Sequence, residues 1–230
     1  MSNKMEIKTF DPNSYESSLA TIYSMAYMYE CRDEMSGEHL NKISSIAALV
    51  AKELAKNVKY QDYIDGEYVQ TVQISSMLHD IGKLGIPESI LNKRGQLNEE
   101  EFSEVKRHPV LGADKIDKLK NEFPGNPWYD MSECIIRYHH EHYDGKGYPD
   151  GLSRDQIPLS ARIVAVADVY DALRSKRPYK PAFPHWRSAE IIVGGSGTHF
   201  DPDVVSAFLS AQTEISEIYD KANQFDPADL

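Results

Sequence analysis

The chain has 230 residues, 41% of them hydrophobic, and its 25 lysines and arginines are outnumbered by 36 aspartates and glutamates. The formal net charge of −11 predicts a surface that repels polymeric nucleic acid and anionic membranes. Two cysteines are too few for a disulfide framework. We find neither a signal-peptide pattern nor a run of about 18 apolar residues, so we expect one large cytoplasmic domain without membrane insertion.

Apolar residues recur at helical spacing in the first quarter of the chain. An N-terminal segment, 1–30, contains a plausible helix at roughly 14–30 that could serve packing or a homodimer contact. Apolar residues then step by three or four from Leu40 to Leu54. With Ser36 as its cap, this pattern predicts an amphipathic helix that carries His39 near its N-terminus.

Two further helices are predicted before the middle of the chain. One contains Val69 and ends close to His79-Asp80, because glycines and a proline follow this pair. The other begins at Asn98, where Glu101 three residues later completes a capping-box pattern, and it ends before the next His-Pro pair.

The second half of the chain continues the helical pattern. Asp130 or Ser132 can cap a helix that delivers His139 and His140 in its last turn. A Gly- and Pro-rich loop follows at 143–158. A helix is then predicted from Ser160 to about Arg174, and a C-terminal helix at 203–220. Alternating β patterns are nearly absent, so the predicted class is all-α.

Histidines concentrate at the predicted helix ends. Five of the eight lie there or in terminal turns: His39, His79, His108, His139 and His140. Helix ends can converge on one pocket and leave coordination positions open, as a catalytic metal site requires. A single such histidine is more often an ordinary core or surface residue, but the adjacent His-Asp and His-His pairs indicate a two-metal hydrolytic centre for phosphoester cleavage.

Two carboxylates accompany these histidines besides Asp80. Asp168 stands in an apolar run, where an unpaired carboxylate would be costly. A salt bridge to Arg162 or Arg174 is one explanation, and metal coordination is the one we favour. Asp171 falls three residues later on the same helical face, where it could orient a ligand or a bound water.

Cations and aromatic residues near these positions suit a phosphorylated ligand. Lys83 could neutralise a phosphate oxygen as negative charge develops, although a lysine at a helix end is often merely solvated. Arg177 and Lys180 could bind a second phosphate, although basic residues in turns are also often merely solvated. Tyr143 and Tyr148, in the Gly-rich loop, could stack on bases.

Taken together, these motifs resemble the HD-GYP family, the bacterial cyclic di-GMP phosphodiesterases of the HD metallohydrolase superfamily. The resemblance covers most of 31–210 and rests on the segments Leu78–Pro87, Lys106–Pro109, His139–Pro149, Ala167–Leu173, Arg177–Lys180 and Gly197–Pro202. It implies an HD-type bundle of about seven to nine helices with a Gly/Pro-rich loop. The catalytic domain would occupy 31–222, followed by a tail at 223–230.

The resemblance also implies a role for each site residue. One metal would be held by His39, His79, Asp80 and Asp168, and Asp80 would bridge to a second metal held by His108, His139 and His140. A hydroxide between the metals would attack phosphorus and yield linear pGpG. Lys83, Asp80 and Asp171 are the expected catalytic residues, and Lys83, Arg177, Lys180 and Tyr148 are the expected substrate contacts. Iron or manganese is expected, with nickel, cobalt or zinc as alternatives.

Two positions depart from the family pattern. Members with three metals commonly carry Glu four residues before the first ligand histidine, where this chain has Met35. A thioether is a poor ligand for hard cations, and neither Glu34 nor Glu38 has the family spacing, so two metals are predicted. His142 stands where many members carry Arg. The remaining histidines, His185 and His199, are interpreted as structural.

Other functions stay open on sequence grounds. Cyclic GMP-AMP is a possible substrate, and a non-catalytic cyclic-dinucleotide receptor is the main alternative to an enzyme. A phosphohydrolase for nucleoside phosphates is disfavoured by the Gly-Tyr-Pro loop. Family members usually join this domain to a receiver or sensor, so we expect either a separate regulatory protein or a free-standing enzyme.

Overall fold

The computed structural model describes Ile22, Ser24, Ala26, Tyr27 and residues 38–93, 95–122, 124, 128–176 and 181–222. Within them the α-helices are α1 (Glu38–Leu54), α2 (Gly66–Ser76), α3 (Glu88–Leu91), α4 (Glu99–Val105), α5 (His108–Glu122), α6 (Trp128–Tyr138), α7 (Leu159–Arg174), α8 (His185–Gly194), α9 (Pro202–Ser210) and α10 (Gln212–Ala222). Two 3-10 turns lie at Ile81–Gly85 and Arg154–Gln156. The described residues form no strand, only a bridge between Ser196 and Phe200, so the all-α prediction is confirmed for them.

Two hydrophobic clusters hold the helices together. The larger one packs α1 and α7 against α8, α9 and α10, around fully buried side chains such as Ile43 and Ile163. The smaller one joins α1 to α2, α5 and α6 through Leu40, Ile74 and Ile136. Because α1 and α6 contribute to both clusters, the start of α1 and the end of α6 are positioned where the clusters meet.

Local sequence signals explain several helix boundaries. The capping box predicted for α4 is present, since Asn98 accepts from the Glu101 backbone nitrogen and the Glu101 carboxylate accepts from the Asn98 nitrogen. His39 lies in the first turn of α1, as predicted. Helix α2 ends at Ser76, so His79-Asp80 lies in the turn that leads into the first 3-10 segment.

Other boundaries differ from the sequence predictions. Helix α4 ends at Val105, before His108-Pro109 as predicted. Helix α5, which begins at His108, was not predicted; it can start there because a proline in a first turn needs no backbone N–H partner. Helix α6 begins at Trp128, so Asp130 and Ser132 lie inside it and do not cap it. His139 and His140 follow the last residue of α6 and are not within its final turn. The predicted helix 203–220 is two helices, α9 and α10, and α8 was not predicted.

Some predictions concern residues outside the described part: most of the segment 1–30, Met35, Ser36, Arg177, Lys180 and the tail 223–230. In the N-terminal segment, Ile22, Ser24, Ala26 and Tyr27 are helical. Ile22 and Ala26 are buried in the smaller cluster. In the described part of the chain, no helix has the length and apolar character needed to cross a membrane.

Candidate metal centre

Two glycines bring the His79-Asp80 turn against the start of α5. A Cβ atom on Gly82 would lie 1.8 Å from the His108 carbonyl oxygen, and one on Gly112 would lie 3.0 Å from the Gly82 nitrogen. No side chain fits between these backbones, so the 3-10 turn packs directly on α5. This close approach makes Asp80 and His108 neighbours.

The predicted ligand residues converge into two groups. In each group, atoms that could bind a metal ion lie within 4.8 Å of one another. The four-residue group consists of Asp80, His108, His139 and His140, and the three-residue group consists of His39, His79 and Asp168. These residues come from α1, the turn after α2, the start of α5, the end of α6 and α7. The fold therefore gathers distant parts of the chain at one place.

Asp80 lies between the two groups. Its Oδ1 is 3.1 Å from His108 Nε2 and 3.9 Å from His139 Nε2. Its Oδ2 is 3.4 Å from His79 Nε2. Asp168 Oδ1 is 3.9 Å from the same His79 nitrogen. The Asp80 carboxylate therefore presents one oxygen to each group.

Backbone carbonyls orient three of the imidazoles. The Nδ1 atoms of His79 and His108 donate to the carbonyl oxygens of Ser76 and Val105, at 2.9 and 2.7 Å. His139 Nδ1 donates to two carbonyl oxygens of α6, each at 3.0 Å. Because a carbonyl oxygen only accepts, each Nδ1 carries a ring proton, and Nε2 is the ring atom left to bind a metal ion.

Those three Nε2 atoms fit a metal site. The Nε2 atoms of His79, His108 and His139 are buried and have no hydrogen-bond partner within the described residues. A buried polar atom without a partner is costly, and one metal ion in each group would satisfy these three atoms. Neutral imidazole beside carboxylate, without thiolate, suits divalent iron, manganese, cobalt, nickel or zinc. The residues present therefore could hold a divalent metal.

His39 is oriented by a side chain instead of a carbonyl. Its Nδ1 lies 2.5 Å from Asp171 Oδ2, and both side chains are buried. Asp171 is in α7, one helical turn after Asp168, and its Oδ1 accepts from Tyr219 Oη at 2.6 Å. Asp171 thus contacts a member of the three-residue group.

The two arginines considered as partners of Asp168 make other contacts. Arg162 donates to Asp155 and Asp201, at 3.0 and 2.5 Å. The Arg174 guanidinium lies over the rings of two tyrosines. The contact described for Asp168 is with His79 in its own group.

Burial and charge act together on the protonation of the site. Burial raises the pKa of Asp80, but Lys83, whose ammonium is 2.5 Å from Oδ2, and His79 hold it well below its usual range. Burial lowers the pKa of His79, yet the charges of Asp80 and Asp168 raise it to about 9. Burial lowers the pKa of His140 to about 4. At neutral pH Asp80 is therefore charged and His140 neutral, the forms that bind metals, whereas His79 holds a second proton that metal binding would displace.

The Gly- and Pro-rich loop folds back onto the end of α6. The buried Glu141 carboxylate accepts through Oε1 from the backbone nitrogens of Asp150 and Gly151, at 2.7 and 3.0 Å. A Cβ atom on Gly147 would lie 2.2 Å from the His142 nitrogen. Only glycine permits this approach, so Gly147 and Glu141 together hold the loop against the ligand histidines.

Tyr148, in this loop, contacts His140 of the four-residue group. Its ring stacks on His140, with centroids 4.7 Å apart and planes at 25°. Its backbone nitrogen donates to the His140 carbonyl oxygen at 3.2 Å. The Lys106 ammonium also lies over the Tyr148 ring, 5.2 Å from the centroid. His140 covers one face of the Tyr148 ring, so a nucleobase cannot stack on that face. A bound substrate would contact the ring edge or the hydroxyl of Tyr148.

The remaining histidines belong to neither ligand group. His185 Nδ1 is hydrogen-bonded to Tyr170 Oη at 2.8 Å. The His199 ring lies 3.9 Å from the His142 ring and 4.2 Å from that of Phe200, measured between centroids. Burial and His142 lower the pKa of His199 to about 4. A structural role for His185 and His199 stays a prediction.

The sequence did not single out two buried residues, Glu141 and Tyr219, that lie beside the site. Glu141 directly follows His139 and His140, and this adjacency was the signal that the sequence offered. Tyr219 had no such signal, because it lies 48 residues from Asp171. Arg177 and Lys180 fall outside the described residues.

Comparison with protein families matches residues 28–204 to the HD domain. A cyclic di-GMP phosphodiesterase of Vibrio cholerae is 41% identical over 197 residues, which cover 86% of this chain and 40% of that protein. The cyclic di-GMP phosphodiesterase response regulator RpfG of Xanthomonas campestris is 39% identical, covering 86% of this chain and 49% of that protein. The 3′3′-cGAMP-specific phosphodiesterase 2 of Vibrio cholerae is 32% identical, covering 88% and 36%. The chain spans less than half the length of each.

A solved structure gives the same fold. The crystal structure of a cyclic GMP-AMP specific phosphodiesterase of Vibrio cholerae aligns with a TM-score of 0.55 at 17% sequence identity. The alignment covers 94% of this chain and 54% of that one. At this identity the likeness concerns the all-α fold alone.

Proposed function

The chain belongs to the HD domain family, and we propose that it is a metal-dependent phosphodiesterase of the HD-GYP type that converts cyclic di-GMP to linear pGpG. One observation carries the proposal: two groups of imidazoles and carboxylates meet at Asp80, around buried Nε2 atoms that lack hydrogen-bond partners in the described part of the chain. The substrate is supported by relatives named as cyclic di-GMP phosphodiesterases at 39–41% identity.

The two groups would hold one divalent ion each, with Asp80 shared between them. Such a metal pair would polarise phosphate oxygens and would lower the pKa of water at the site, so that a nucleophile would be available at neutral pH. We propose iron or manganese, with nickel, cobalt and zinc as alternatives. Two ions remain the prediction, since Met35 occupies the position that would serve a third.

We propose that Lys83 stabilises charge on the substrate. Its ammonium contacts Asp80, which belongs to the ligand set, while its side chain keeps 22% exposure. A partly exposed cation beside Asp80 could meet a phosphate oxygen as negative charge develops there. Arg177 and Lys180 follow α7 in sequence, and their contact with further phosphates remains a prediction. Tyr148 would contact the substrate through its edge or hydroxyl.

The proposal is tested by hydrolysis of cyclic di-GMP after reconstitution of metal-free protein with manganese or iron. We expect pGpG as the product by chromatography. Lys83→Met, which keeps the aliphatic stem, should lower kcat by about 10²–10³-fold, the range for loss of one charge-stabilising donor. Its metal content should not change. Lys52→Met, at an exposed position in the last turn of α1, is the matched control and should retain full activity.

Absence of hydrolysis with every candidate metal would reject the enzymatic proposal, and so would an Asp80→Ala variant that behaves like the unchanged protein. Tight binding of cyclic di-GMP without product would favour the receptor alternative. Release of a monophosphate or pyrophosphate from nucleoside phosphates would favour the third alternative. Elemental analysis of protein purified without added metal would establish the number and identity of the ions.

A second substrate follows from the relatives. The 3′3′-cGAMP-specific phosphodiesterase 2 of Vibrio cholerae shares 32% identity with this chain, so the same assay is run with 3′3′-cyclic GMP-AMP. A kcat/KM that favours this ligand over cyclic di-GMP would change the substrate but not the chemistry. A cytoplasmic location, a homodimer and a separate regulatory protein also remain predictions.

A further inference from the structure

We propose that Tyr219, in the C-terminal helix α10, is a positioning residue for the three-residue group and acts through Asp171 and His39. This inference rests on the proposed metal centre. It adds to the site a residue that lies beyond the span, 28–204, matched to the HD domain.

A continuous chain of hydrogen bonds connects Tyr219 to the site. Tyr219 Oη donates to Asp171 Oδ1 at 2.6 Å, and Asp171 Oδ2 lies 2.5 Å from His39 Nδ1. Tyr219, Asp171 and His39 are 5%, 1% and 7% exposed. Since a buried carboxylate that receives a donor on each oxygen cannot rotate freely, Tyr219 fixes the plane in which Asp171 meets His39.

The Tyr219 ring is itself held from several directions. The Arg174 guanidinium lies over it at 4.7 Å and the Lys42 ammonium at 5.1 Å from the ring centroid. The Tyr170 ring packs against it edge-on, with centroids 5.7 Å apart. Cations over an aromatic ring are attracted to it, the more so when they are partly desolvated. Residues of α1 and α7 thus hold the Tyr219 ring in place and thereby position its hydroxyl.

The consequence for metal binding follows from the tautomer of His39. When Asp171 accepts from Nδ1–H, the His39 ring presents its Nε2 lone pair to the group that contains His79 and Asp168. Partners that orient a ligand imidazole typically affect metal affinity by about 10–100-fold. Tyr219 acts one residue further away, so we expect an effect at the low end of that range.

The test compares Tyr219→Phe with Tyr170→Phe. Both substitutions remove one buried, hydrogen-bonded hydroxyl from the same aromatic cluster and keep the ring. The Tyr170 hydroxyl, however, bonds His185 and not Asp171. Metal-free protein is titrated with Mn²⁺ and binding is followed by calorimetry. We expect Tyr219→Phe to weaken one of two binding steps about tenfold and Tyr170→Phe to change neither step.

A second measurement separates positioning from general stability. In metal-free protein, the ¹H and ¹⁵N resonances of the His39 Nδ1–H group report its hydrogen bond to Asp171. Tyr219→Phe should shift them, and Tyr170→Phe should not. Asp171→Asn should have a larger effect on both readouts, because its amide group can turn toward His39 and favour the other tautomer.

Equal Mn²⁺ affinities for Tyr219→Phe and the unchanged protein would overturn the inference. An equal loss in Tyr170→Phe would do the same, since it would indicate loosening of the whole cluster. Neither readout uses cyclic di-GMP. If the protein binds Mn²⁺ but does not hydrolyse this substrate, the proposed function fails while the role of Tyr219 is still decided.

Discussion

The two ligand groups differ in what orients their histidines. In the four-residue group, His108 and His139 donate to backbone carbonyls within four residues of their own positions. In the three-residue group, His39 depends on the side chain of Asp171, 132 residues away, and through it on Tyr219. His79, also in the three-residue group, donates to the nearby Ser76 carbonyl, so the contrast rests on His39, whose orientation depends on tertiary packing, whereas His108 and His139 depend on local backbone geometry.

This difference affects how each group responds to change. No side-chain substitution removes a backbone carbonyl, so the orientation of His108 and His139 persists while the end of α4 and the helix α6 are intact. His39 can lose its partner through a single substitution in α7 or α10. We therefore expect the four-residue group to be the more robust site, and the three-residue group to be the one whose metal affinity varies with its surroundings.

The largest effect should come from removing the residue that the groups share. Asp80→Asn keeps the shape of the side chain, but a neutral amide ligates poorly and cannot offer an anionic oxygen to each group. Metal content should fall in both groups. The activity loss should exceed the roughly 10–100-fold that loss of a ligand's outer partner produces. Elemental analysis and pGpG formation would measure both effects.

Single-group variants provide the comparison for Asp80→Asn. His108→Asn should reduce metal only in the four-residue group, and His39→Asn only in the three-residue group. If Asp80→Asn lost no more metal than His108→Asn or His39→Asn, the Asp80 carboxylate would not be shared between the two groups.

A smaller effect should come from the loop that packs on His140. A Cβ atom on Gly147 would lie 2.2 Å from the His142 nitrogen and 2.5 Å from the His140 carbonyl oxygen. Gly147→Ala should therefore displace the loop and destabilise the protein by about 1–3 kcal/mol, the usual cost of overpacking. The four-residue group should bind Mn²⁺ more weakly, with the three-residue group unchanged. Denaturant unfolding and Mn²⁺ titration measure these effects.

Gly66→Ala is the matched control for Gly147→Ala, because a Cβ atom there has no neighbour within 4 Å. It should leave stability and both binding steps close to those of the unchanged protein. Equal weakening of both groups by Gly147→Ala would show that the loop does not act on His140 in particular.

The sequence predicted the parts of the site that are coded by adjacent residues. His79-Asp80 and His139-His140 are neighbours in the chain, and the glycines and proline after the first pair indicated the turn that exposes Asp80 to both groups. Asp171 could be predicted because it shares a helical face with Asp168. These signals are local, and periodicity is enough to recognise them.

The parts that the sequence did not predict depend on packing between distant segments. Tyr219 contacts Asp171 only because α10 folds onto α1 and α7, and no spacing rule connects residues from different helices. Helix α5 was missed for a different reason. His108-Pro109 suggests a helix end when only the residue before proline is considered, whereas a proline in the first turn is compatible with a helix start.

The smallest effect concerns a histidine outside both groups. Burial and His142 lower the pKa of His199 to about 4 in the folded protein, against about 6.5 when unfolded. Between these values mainly the unfolded chain takes up the proton, so the free energy of unfolding rises with pH. The stabilising contribution of neutral His199 is therefore fully present above about pH 6.5 and is lost as the pH falls toward 4.

His199→Phe should keep the ring contacts with His142 and Phe200 and remove this titration. We expect the free energy of unfolding to depend less steeply on pH between about 6.5 and 4, by at most one proton. Denaturant unfolding of metal-free protein measures the slope without the pH dependence that metal binding adds. An unchanged slope would mean that His199 takes up its proton alike in both states. The loss of stability at low pH would then have to come from the buried ligand histidines. His140, in the four-residue group, is one of them, because burial also lowers its pKa to about 4.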